Sequence, residues 1–238
     1  MDKSQRKATT KKIRQEQQRK KQQRMRIIIW ATVVCFIALV VAAILLKPEP
    51  KPIAINYNGA PTIGSESAPI KIVEFGDFKC IACKYFSEEI MPKLKAEYID
   101  TGKVSFSFQN FTIFLPDSYT AALAGQAVFH QSNEEFWKFY DAVFEHQQDE
   151  RIEWATSEFL VNLAKEKELN INYDKLKQDI DSQTYSEEVD NQVKIAKENR
   201  FTGTPTILIN GRKLDDSTAL NYDNLKKEID KILNEMEK

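Results

Sequence analysis

Two cysteines separated by two residues, Cys80 and Cys83, constrain the fold of this chain more than any other feature. They follow a β-branched, apolar stretch at residues 70–75 and precede a stretch with helical character, so they lie at a predicted strand-to-helix junction. The third and last cysteine, Cys35, lies inside a long apolar segment, where we interpret it as a small apolar residue. The rest of the chain therefore holds one dithiol, which indicates disulfide exchange rather than stabilisation by disulfides.

Charge is unevenly distributed along the 238 residues of the chain. The net charge is −1 overall, but it is +9 over residues 1–26 and −11 over residues 53–238. The basic arm leads directly into residues 27–46, a run of 20 residues without a charge that is long enough to cross a bilayer as a helix. The acidic body lacks the basic face that nucleic acid requires, so we predict no nucleic-acid partner.

We interpret the uncharged run as an uncleaved membrane anchor. Bases on its N-terminal flank predict a cytoplasmic N-terminus and an extracytoplasmic domain. The alternative is a cleaved signal peptide, whose apolar core spans about 7–15 residues and is followed by a small-residue cleavage site. Alternating lysine and proline at residues 47–52 follow here instead, and this pattern is typical of a stiff, extended spacer.

Beyond the spacer, the sequence predicts strands and helices in a defined order. The predicted strands are residues 53–57, at a sheet edge, and then 70–75, 104–108, 206–209 and 212–214. A helix over residues 81–99 with a kink at Pro92 follows the cysteines, and an amphipathic helix runs from residue 220 to the end. Between residues 117 and 200 proline is absent and apolar residues recur at helical spacing, which predicts four or five helices.

This order predicts an α/β domain with a thioredoxin-like fold, interrupted by an inserted all-helical subdomain and preceded by a single transmembrane helix. The cysteine pair falls in the first half of that domain, and the insertion separates it from the second half. The predicted segments are 1–26 (basic cytoplasmic arm), 27–46 (transmembrane anchor), 47–60 (linker), 61–116 (first half of the thioredoxin-like domain), 117–200 (inserted helical subdomain) and 201–238 (second half).

Four features resemble the DsbA family of thiol–disulfide oxidoreductases, in particular its membrane-anchored BdbD-type members of Gram-positive bacteria. The first is residues 73–83, VEFGDFKCIAC, in which a strand leads into the dithiol. The second is residues 203–206, GTPT, before a predicted strand, and the others are the helical insertion and the N-terminal anchor. The chain departs from the family at Ile81 and Ala82, since many members have proline after the first cysteine and the strongest oxidants have histidine before the second.

The resemblance implies roles for Cys80, Cys83, Glu74, Thr204 and Pro205. Cys80 is expected to be the sulfur that attacks and is attacked, and Cys83 the resolving sulfur one helical turn on. Pro205 is expected to be cis and to shape a groove in which the backbone of Thr204 pairs with substrate; a trans-proline opening an edge strand is the alternative. Glu74 matches a buried acid that carries protons to or from Cys83, but the sequence is equally compatible with an exposed carboxylate at a strand edge.

The start of a helix favours a thiolate at Cys80, because backbone N–H groups and the helix dipole stabilise an anion there. Neither residue between the cysteines carries a polar side chain. We therefore predict a lowered but not extreme pKa for Cys80, and a less oxidising disulfide than in the strongest family members. Lys79 and Lys84 are expected to add positive charge at an exposed rim, with Asp77 and Lys79 as solvated loop charges.

A zinc site built on the cysteine pair is the competing interpretation of the motif. Zinc requires four ligands, and the two histidines of the chain, His130 and His146, lie within the helical block, where they are expected to cap helices or pack. We therefore predict neither a metal nor a cofactor. Trp137 and Trp154 are interpreted as core residues.

The sequence favours an enzyme that introduces disulfide bonds into exported proteins with free thiols. As the resemblance implies, a quinone-linked thiol oxidase in the membrane, of the DsbB or BdbC type, would return the dithiol to a disulfide. We expect a monomer held in the cell membrane by a single span, with its catalytic domain at a Gram-positive-like cell surface. The alternatives are a membrane-anchored reductase or isomerase, and a non-catalytic thioredoxin-fold chaperone or binding module.

Overall fold

The computed structural model describes residues 3–45, 51–57 and 59–237. The chain divides into two compact units, Met1–Pro50 and Lys51–Lys238. The second unit contains all the strands described below.

The first unit contains one long helix, α1, which spans Lys3–Leu45. Within it, Arg19–Ala42 is long and apolar enough to cross a membrane, by length and composition. This stretch includes residues 27–42 of the predicted anchor. Residue 46 of the predicted anchor, and residues 47–50 and 58 of the predicted linker, lie outside the described residues.

Among the described residues, a five-stranded mixed sheet with the order β1-β3-β2-β4-β5 forms the centre of the second unit. The strands are β1 Thr62–Ile63, β2 Ile70–Gly76, β3 Val104–Asn110, β4 Thr206–Ile209 and β5 Arg212–Lys213. The central strand β2 runs parallel to β3 and antiparallel to β4, so Glu74 lies opposite Phe108 on one side and Ile207 on the other. A central strand covered on both faces requires apolar side chains on both, which explains the nearly continuous apolar run of β2.

The prediction of an edge strand at residues 53–57 is wrong, because this segment forms no strand. A backbone hydrogen bond to the sheet region runs from the N–H of Ile53 to the carbonyl of Gly211, in the turn between β4 and β5, at 2.8 Å. Its alternating apolar side chains pack against a small cluster that includes Phe75 and Leu208. The alternation therefore reflects one-sided burial without strand pairing. The edge strands are β1, which pairs antiparallel with β3, and β5, which pairs antiparallel with β4.

The helical segment after the cysteines is not one uniform α-helix. It comprises α2 Ile81–Tyr85, a π-helical turn Phe86–Ile90, α3 Met91–Leu94 and a second π-helical turn Lys95–Ile99. Pro92 lies in the first turn of α3. Proline lacks the N–H that a continuous α-helix uses. Around the kink predicted at Pro92, the hydrogen bonding therefore changes between the α-helical and π-helical patterns.

Five helices lie between β3 and β4 in the described chain, in agreement with the four or five predicted. They are α4 Asp117–Phe129, α5 Asn133–Glu145, α6 Ser157–Glu166, α7 Tyr173–Asp181 and α8 Ser186–Glu198. The side chains of Ser132, Thr156 and Asn172 cap α5, α6 and α7, each accepting from the N–H three residues on. The C-terminal part adds α9 Asp216–Ala219, which the sequence analysis does not predict, and α10 Tyr222–Met236.

An aromatic cluster joins this helical insertion to the sheet. The ring centroid of Phe78 lies 5.1 Å from that of Phe108 on β3 and 5.4 Å from that of Phe144 on α5. Tyr140, also on α5, lies 5.3 Å from Phe108. These side chains are buried, as are the tryptophans at positions 137 and 154, which confirms their predicted place in the core. Helix α5 therefore packs directly beside the loop that leads to the cysteines.

Candidate active site

Cys80 follows the loop after β2 and is the N-cap residue of α2. Its backbone N–H donates to the carbonyl of Asp77 at 2.9 Å, and its carbonyl accepts from the N–H of Lys84 at 3.1 Å. The side-chain amide of Gln147 donates to the carbonyls of Phe78, at 2.8 Å, and of Cys80, at 3.1 Å. The backbone of this cysteine is therefore held from one side by its own loop and from the other by the helical insertion.

The surroundings of Cys80 lower its pKa to about 6. The largest cause is a hydrogen bond from the thiol of Cys83, which burial opposes. Thr204 and the backbone N–H groups of Cys83 and Ala82 lower the pKa further. The result agrees with the lowered but not extreme pKa that the sequence predicts. The neighbouring thiol and the helix N-terminus stabilise the anion.

Thr204 faces the sulfur of Cys80 with two groups. Sγ of Cys80 lies 3.2 Å from the carbonyl oxygen of Thr204, which accepts from the protonated thiol. The hydroxyl of Thr204 is buried and has no hydrogen-bond partner among the described residues, so it is available to donate when the sulfur is a thiolate. The Thr204–Pro205 peptide bond is cis, as predicted. Both residues line a cavity of about 230 Å³ that also reaches Ala82.

Cys83 has the opposite environment. It is fully buried, and its pKa is raised well above the usual value, first by burial, then by its hydrogen bond with Cys80 and by the charge of Glu74. At neutral pH, Cys80 is therefore mostly thiolate while Cys83 keeps its proton. A base must remove that proton before Cys83 can attack a disulfide.

Glu74 is the titratable group of β2 next to this thiol, and it is completely buried. Burial raises its pKa to about 8, while the hydroxyl of Tyr140 and the neighbouring thiol of Cys83 lower it and the charge of Cys80 raises it. The hydroxyl of Tyr140 donates to Oε2 of Glu74 at 2.9 Å. Of the two interpretations that the sequence leaves open, the structure places Glu74 as a buried acid. Tyr140 is a polar partner that sequence analysis does not identify.

The prediction that Asp77 is a solvated loop charge is wrong, because its side chain is buried and both of its carboxylate oxygens accept hydrogen bonds from backbone N–H groups. Oδ1 accepts from the N–H of Lys79 at 2.9 Å. Oδ2 accepts from the N–H groups of Ile113 and Phe114, at 2.7 and 3.1 Å. These three donors replace water around the carboxyl group. An aspartate whose side chain accepts from the N–H two residues on is an Asx turn, a local signal that sequence analysis could have used.

Lys79 is also buried, so the prediction of a solvated charge at an exposed rim is wrong for this residue too. Its Nζ forms an ion pair with Asp117 at 2.5 Å and donates to the carbonyl of Ile152 at 2.8 Å. The exposed side chain beside the cysteine is instead Ile81, with 63% of its surface accessible. The loop before Cys80 is therefore anchored inward by charge, and the exposed side chain that follows Cys80 is apolar.

The two histidines lie at the C-terminal ends of α4 and α5, which confirms the expectation that they cap or pack. His130 pairs with Glu188 at 2.8 Å and stacks on Tyr185 with ring centroids 4.1 Å apart. Nδ1 of His146 donates to the carbonyl of Ala142 at 3.0 Å. In the described part of the chain, no group of three or more His, Cys, Asp and Glu side chains is arranged to hold a metal ion.

The contrast between the two thiols predicts the pH dependence of alkylation. The rate of iodoacetamide modification of the reduced protein should rise with a midpoint near pH 6, because Cys80 has a pKa of about 6. After unfolding in urea the midpoint should move to about 8.5, the value of a free cysteine. Mass spectrometry of the labelled peptides reports the rates. A midpoint above pH 8 in the folded protein, or preferential labelling of Cys83, would contradict this assignment.

Comparisons of the sequence with known proteins identify the family to which the chain belongs. A family model described as Thioredoxin matches residues 57–231. The chain is 39% identical over 177 residues to the probable disulfide bond formation protein D of Bacillus anthracis, covering 74% of this chain and 80% of that protein. It is 35% identical over 178 residues to disulfide bond formation protein D of Bacillus subtilis (strain 168), covering 75% of this chain and 79% of that protein.

Solved structures show the same relationship. The crystal structure of oxidised BdbD from Bacillus subtilis superposes with a TM-score of 0.73 and 34% identity, covering 79% of this chain and 100% of that chain. The crystal structure of Chlamydia trachomatis DsbA superposes with a TM-score of 0.67 and 26% identity, covering 79% of this chain and 98% of that chain. The predicted thioredoxin-like fold and thiol–disulfide oxidoreductase activity are therefore confirmed. The chain belongs to the thioredoxin family, as a member of the disulfide bond formation protein D group of thiol–disulfide oxidoreductases.

Proposed function

We propose that this protein is a thiol oxidase that introduces disulfide bonds into exported proteins on the outer side of the cell membrane. The observation that carries the proposal is the lowered pKa of Cys80 beside the raised pKa of Cys83. Stabilising the Cys80 thiolate stabilises the reduced enzyme. The disulfide is therefore a stronger oxidant than one formed between two ordinary thiols.

In the first step, a substrate thiolate attacks Sγ of Cys80, the more exposed sulfur of the Cys80–Cys83 disulfide. The bond to the substrate forms, the Cys80–Cys83 bond breaks, and Cys83 leaves with the electron pair. Glu74 supplies the proton that Cys83 takes up, because its pKa of about 8 keeps it mostly protonated at neutral pH. A second substrate thiolate then attacks the substrate sulfur and releases Cys80 as a thiolate. The substrate loses two electrons and the enzyme gains them.

Substrate chains bind beside the dithiol in this proposal. The backbone of Thr204, which adjoins both the cis proline and Sγ of Cys80, pairs with the extended substrate segment. The cavity of about 230 Å³ lined by Thr204 and Pro205 supports this position, since the carbonyl oxygen of Thr204 lies 3.2 Å from the reacting sulfur.

Turnover requires that the reduced dithiol pass two electrons to another oxidant. We assign this role to a quinone-linked thiol oxidase in the membrane. The apolar stretch Arg19–Ala42 supports the assignment, because it could hold the domain at the surface where such a partner lies. The basic residues of the N-terminal arm support a cytoplasmic N-terminus and an extracytoplasmic domain.

The equilibrium reduction potential of the Cys80–Cys83 pair tests the direction of exchange. The measurement is a glutathione titration of the full-length protein in detergent, carrying Cys35→Ala so that the signal comes from the pair alone. We expect a potential between about −270 mV, the value of thioredoxin, and about −120 mV, the value of DsbA, because the Cys80 pKa of about 6 lies between about 7 for thioredoxin and about 3.5 for DsbA. A potential at or below that of thioredoxin would overturn the oxidase proposal and favour a reductase.

A further inference from the structure

The hydroxyl of Tyr140, on α5, lies in a part of the core that is lined by aromatic rings. Its ring is completely buried and packs against Phe144 at 4.8 Å, Phe108 at 5.3 Å and Trp137 at 5.4 Å between ring centroids. These contacts restrict the ring to one orientation, so its hydroxyl has a defined direction. The hydroxyl points to β2 and donates to Oε2 of Glu74 at 2.9 Å.

The two oxygens of Glu74 therefore have different environments. Oε2 accepts from Tyr140, whereas Oε1 is buried and has no hydrogen-bond partner among the described residues. The titratable groups that face this carboxyl are Cys80 and Cys83 from α2 and Tyr140 from α5, with Asp141 acting on Tyr140. The residues opposite Glu74 on β3 and β4 are apolar. Tyr140 is thus the hydroxyl donor that distinguishes one oxygen from the other.

We infer that Tyr140 is a positioning residue for disulfide exchange: by occupying Oε2 of Glu74, it leaves Oε1 as the atom that exchanges a proton with Cys83. The inference rests on the proposed role of Glu74 as the proton carrier. It adds that the helical insertion, through α5, takes part in the proton transfer of the thioredoxin-like site.

Closure of the enzyme disulfide is the step that depends on this hydrogen bond. Cys80 begins in a mixed disulfide, and Oε1 of ionised Glu74 takes the proton of Cys83. The Cys83 sulfur then attacks Sγ of Cys80, the Cys80–Cys83 bond forms, and the other sulfur leaves as a thiolate with the electron pair. Because Tyr140 donates to the carboxylate, it increases the ionised fraction of Glu74 at a given pH and so accelerates closure.

The test is the rate of closure as a function of pH in the full-length protein carrying Tyr140→Phe. The reduced protein is mixed with oxidised glutathione in stopped flow, and the phase that is independent of glutathione concentration reports closure. The unchanged protein should show an inflection somewhat below pH 8, because the pKa of Glu74 is about 8 beside the Cys80 thiolate and the mixed disulfide removes that charge. Phenylalanine keeps the ring but removes the hydrogen bond, so the inflection should move up by about one pH unit and the rate at pH 7 should fall about tenfold.

A matched control is Tyr119→Phe, which removes a hydroxyl bonded to Asp190 at 3.0 Å on the outer side of the helical insertion. Its closure profile should match that of the unchanged protein. A purely structural effect of Tyr140→Phe would lower the rate at every pH without moving the inflection. The inference requires instead that the two rates converge above pH 9.

Glu74→Gln separates the inference from the function on which it rests. We expect this change to remove the inflection and to make an added Tyr140→Phe change without effect. An unchanged profile in Glu74→Gln would remove Glu74 as the proton carrier. Slow closure in Glu74→Gln with an unmoved inflection in Tyr140→Phe would overturn the role of Tyr140 alone. Site-specific 3-fluorotyrosine at position 140 keeps the shape and makes the hydroxyl more acidic, so the inflection should move down; an unmoved inflection there also overturns the inference.

Discussion

Replacing Cys80 by serine will abolish thiol–disulfide exchange, whereas replacing Cys83 by serine will preserve the first exchange step and stop at a mixed disulfide. A serine hydroxyl neither forms a disulfide nor ionises near neutral pH. A lone Cys80 thiolate can still attack a disulfide, because the helix N-terminus and Thr204 continue to stabilise it and a serine hydroxyl at position 83 can donate to it. Mass spectrometry of each variant after mixing with a disulfide-linked peptide measures both outcomes.

Cys35→Ser is the control for this pair of variants. Cys35 lies in the apolar stretch of α1, so its replacement should leave exchange unchanged. Residual exchange by Cys80→Ser, or loss of exchange in Cys35→Ser, would place the reactive thiol elsewhere. Failure of Cys83→Ser to accumulate the mixed disulfide would mean that Cys83 is not the resolving sulfur.

Replacing Asp117 by alanine will lower the free energy of unfolding by about 3–5 kcal/mol. The side chains of Lys79 and Asp117 are 2% and 7% exposed. Within the described part of the chain, removing the carboxylate leaves the buried Lys79 ammonium with only its hydrogen bond to the Ile152 carbonyl. It also leaves two backbone N–H groups without an acceptor, since those of Trp154 and Ala155 donate to Oδ2 of Asp117 at 2.8 and 2.9 Å. Urea unfolding of the full-length reduced protein in detergent, followed by tryptophan fluorescence, measures the change.

Two further variants show how much of this loss in the free energy of unfolding comes from burying an unpaired charge. Asp181→Ala breaks an ion pair with Lys177 at 2.6 Å whose side chains are about half exposed, and it should cost less than about 1 kcal/mol. Replacing Lys79 by methionine and Asp117 by leucine together should recover part of the loss, because no unpaired charge is then buried. Equal losses for Asp117→Ala and Asp181→Ala would show that the buried pair does not stabilise the fold.

Local patterns are sufficient to predict the framework of this site. The strand before Cys80, the helix after it and the helices of the insertion follow from hydrophobic periodicity and turn residues, which act over a few positions. The prediction of a strand at residues 53–57 was wrong because alternation indicates a buried side but does not specify a pairing partner. The prediction for Asp77 and Lys79 is wrong because a charged side chain does not by itself indicate solvent exposure.

The partners of the buried charges could not be predicted in this way. Glu74 meets Tyr140, 66 residues later, and Lys79 meets Asp117, 38 residues later. No periodic or turn signal connects such distant positions, since their contact depends on how α5 and the start of α4 pack on the sheet. The resemblance to a known family identified the acid at Glu74, but it did not identify the hydroxyl that orients it.

The contacts of the helical insertion with the loop of Cys80 limit how this protein can be shortened or recombined. Gln147 binds the backbone of Cys80, Asp117 binds Lys79, and Tyr140 binds Glu74. These three contacts all come from the insertion, so the insertion is needed to hold the active-site residues in place. A minimal domain engineered by deleting residues 117–200 would keep Cys80, Cys83 and Pro205, yet it would lose the polar groups that hold the reacting loop in place.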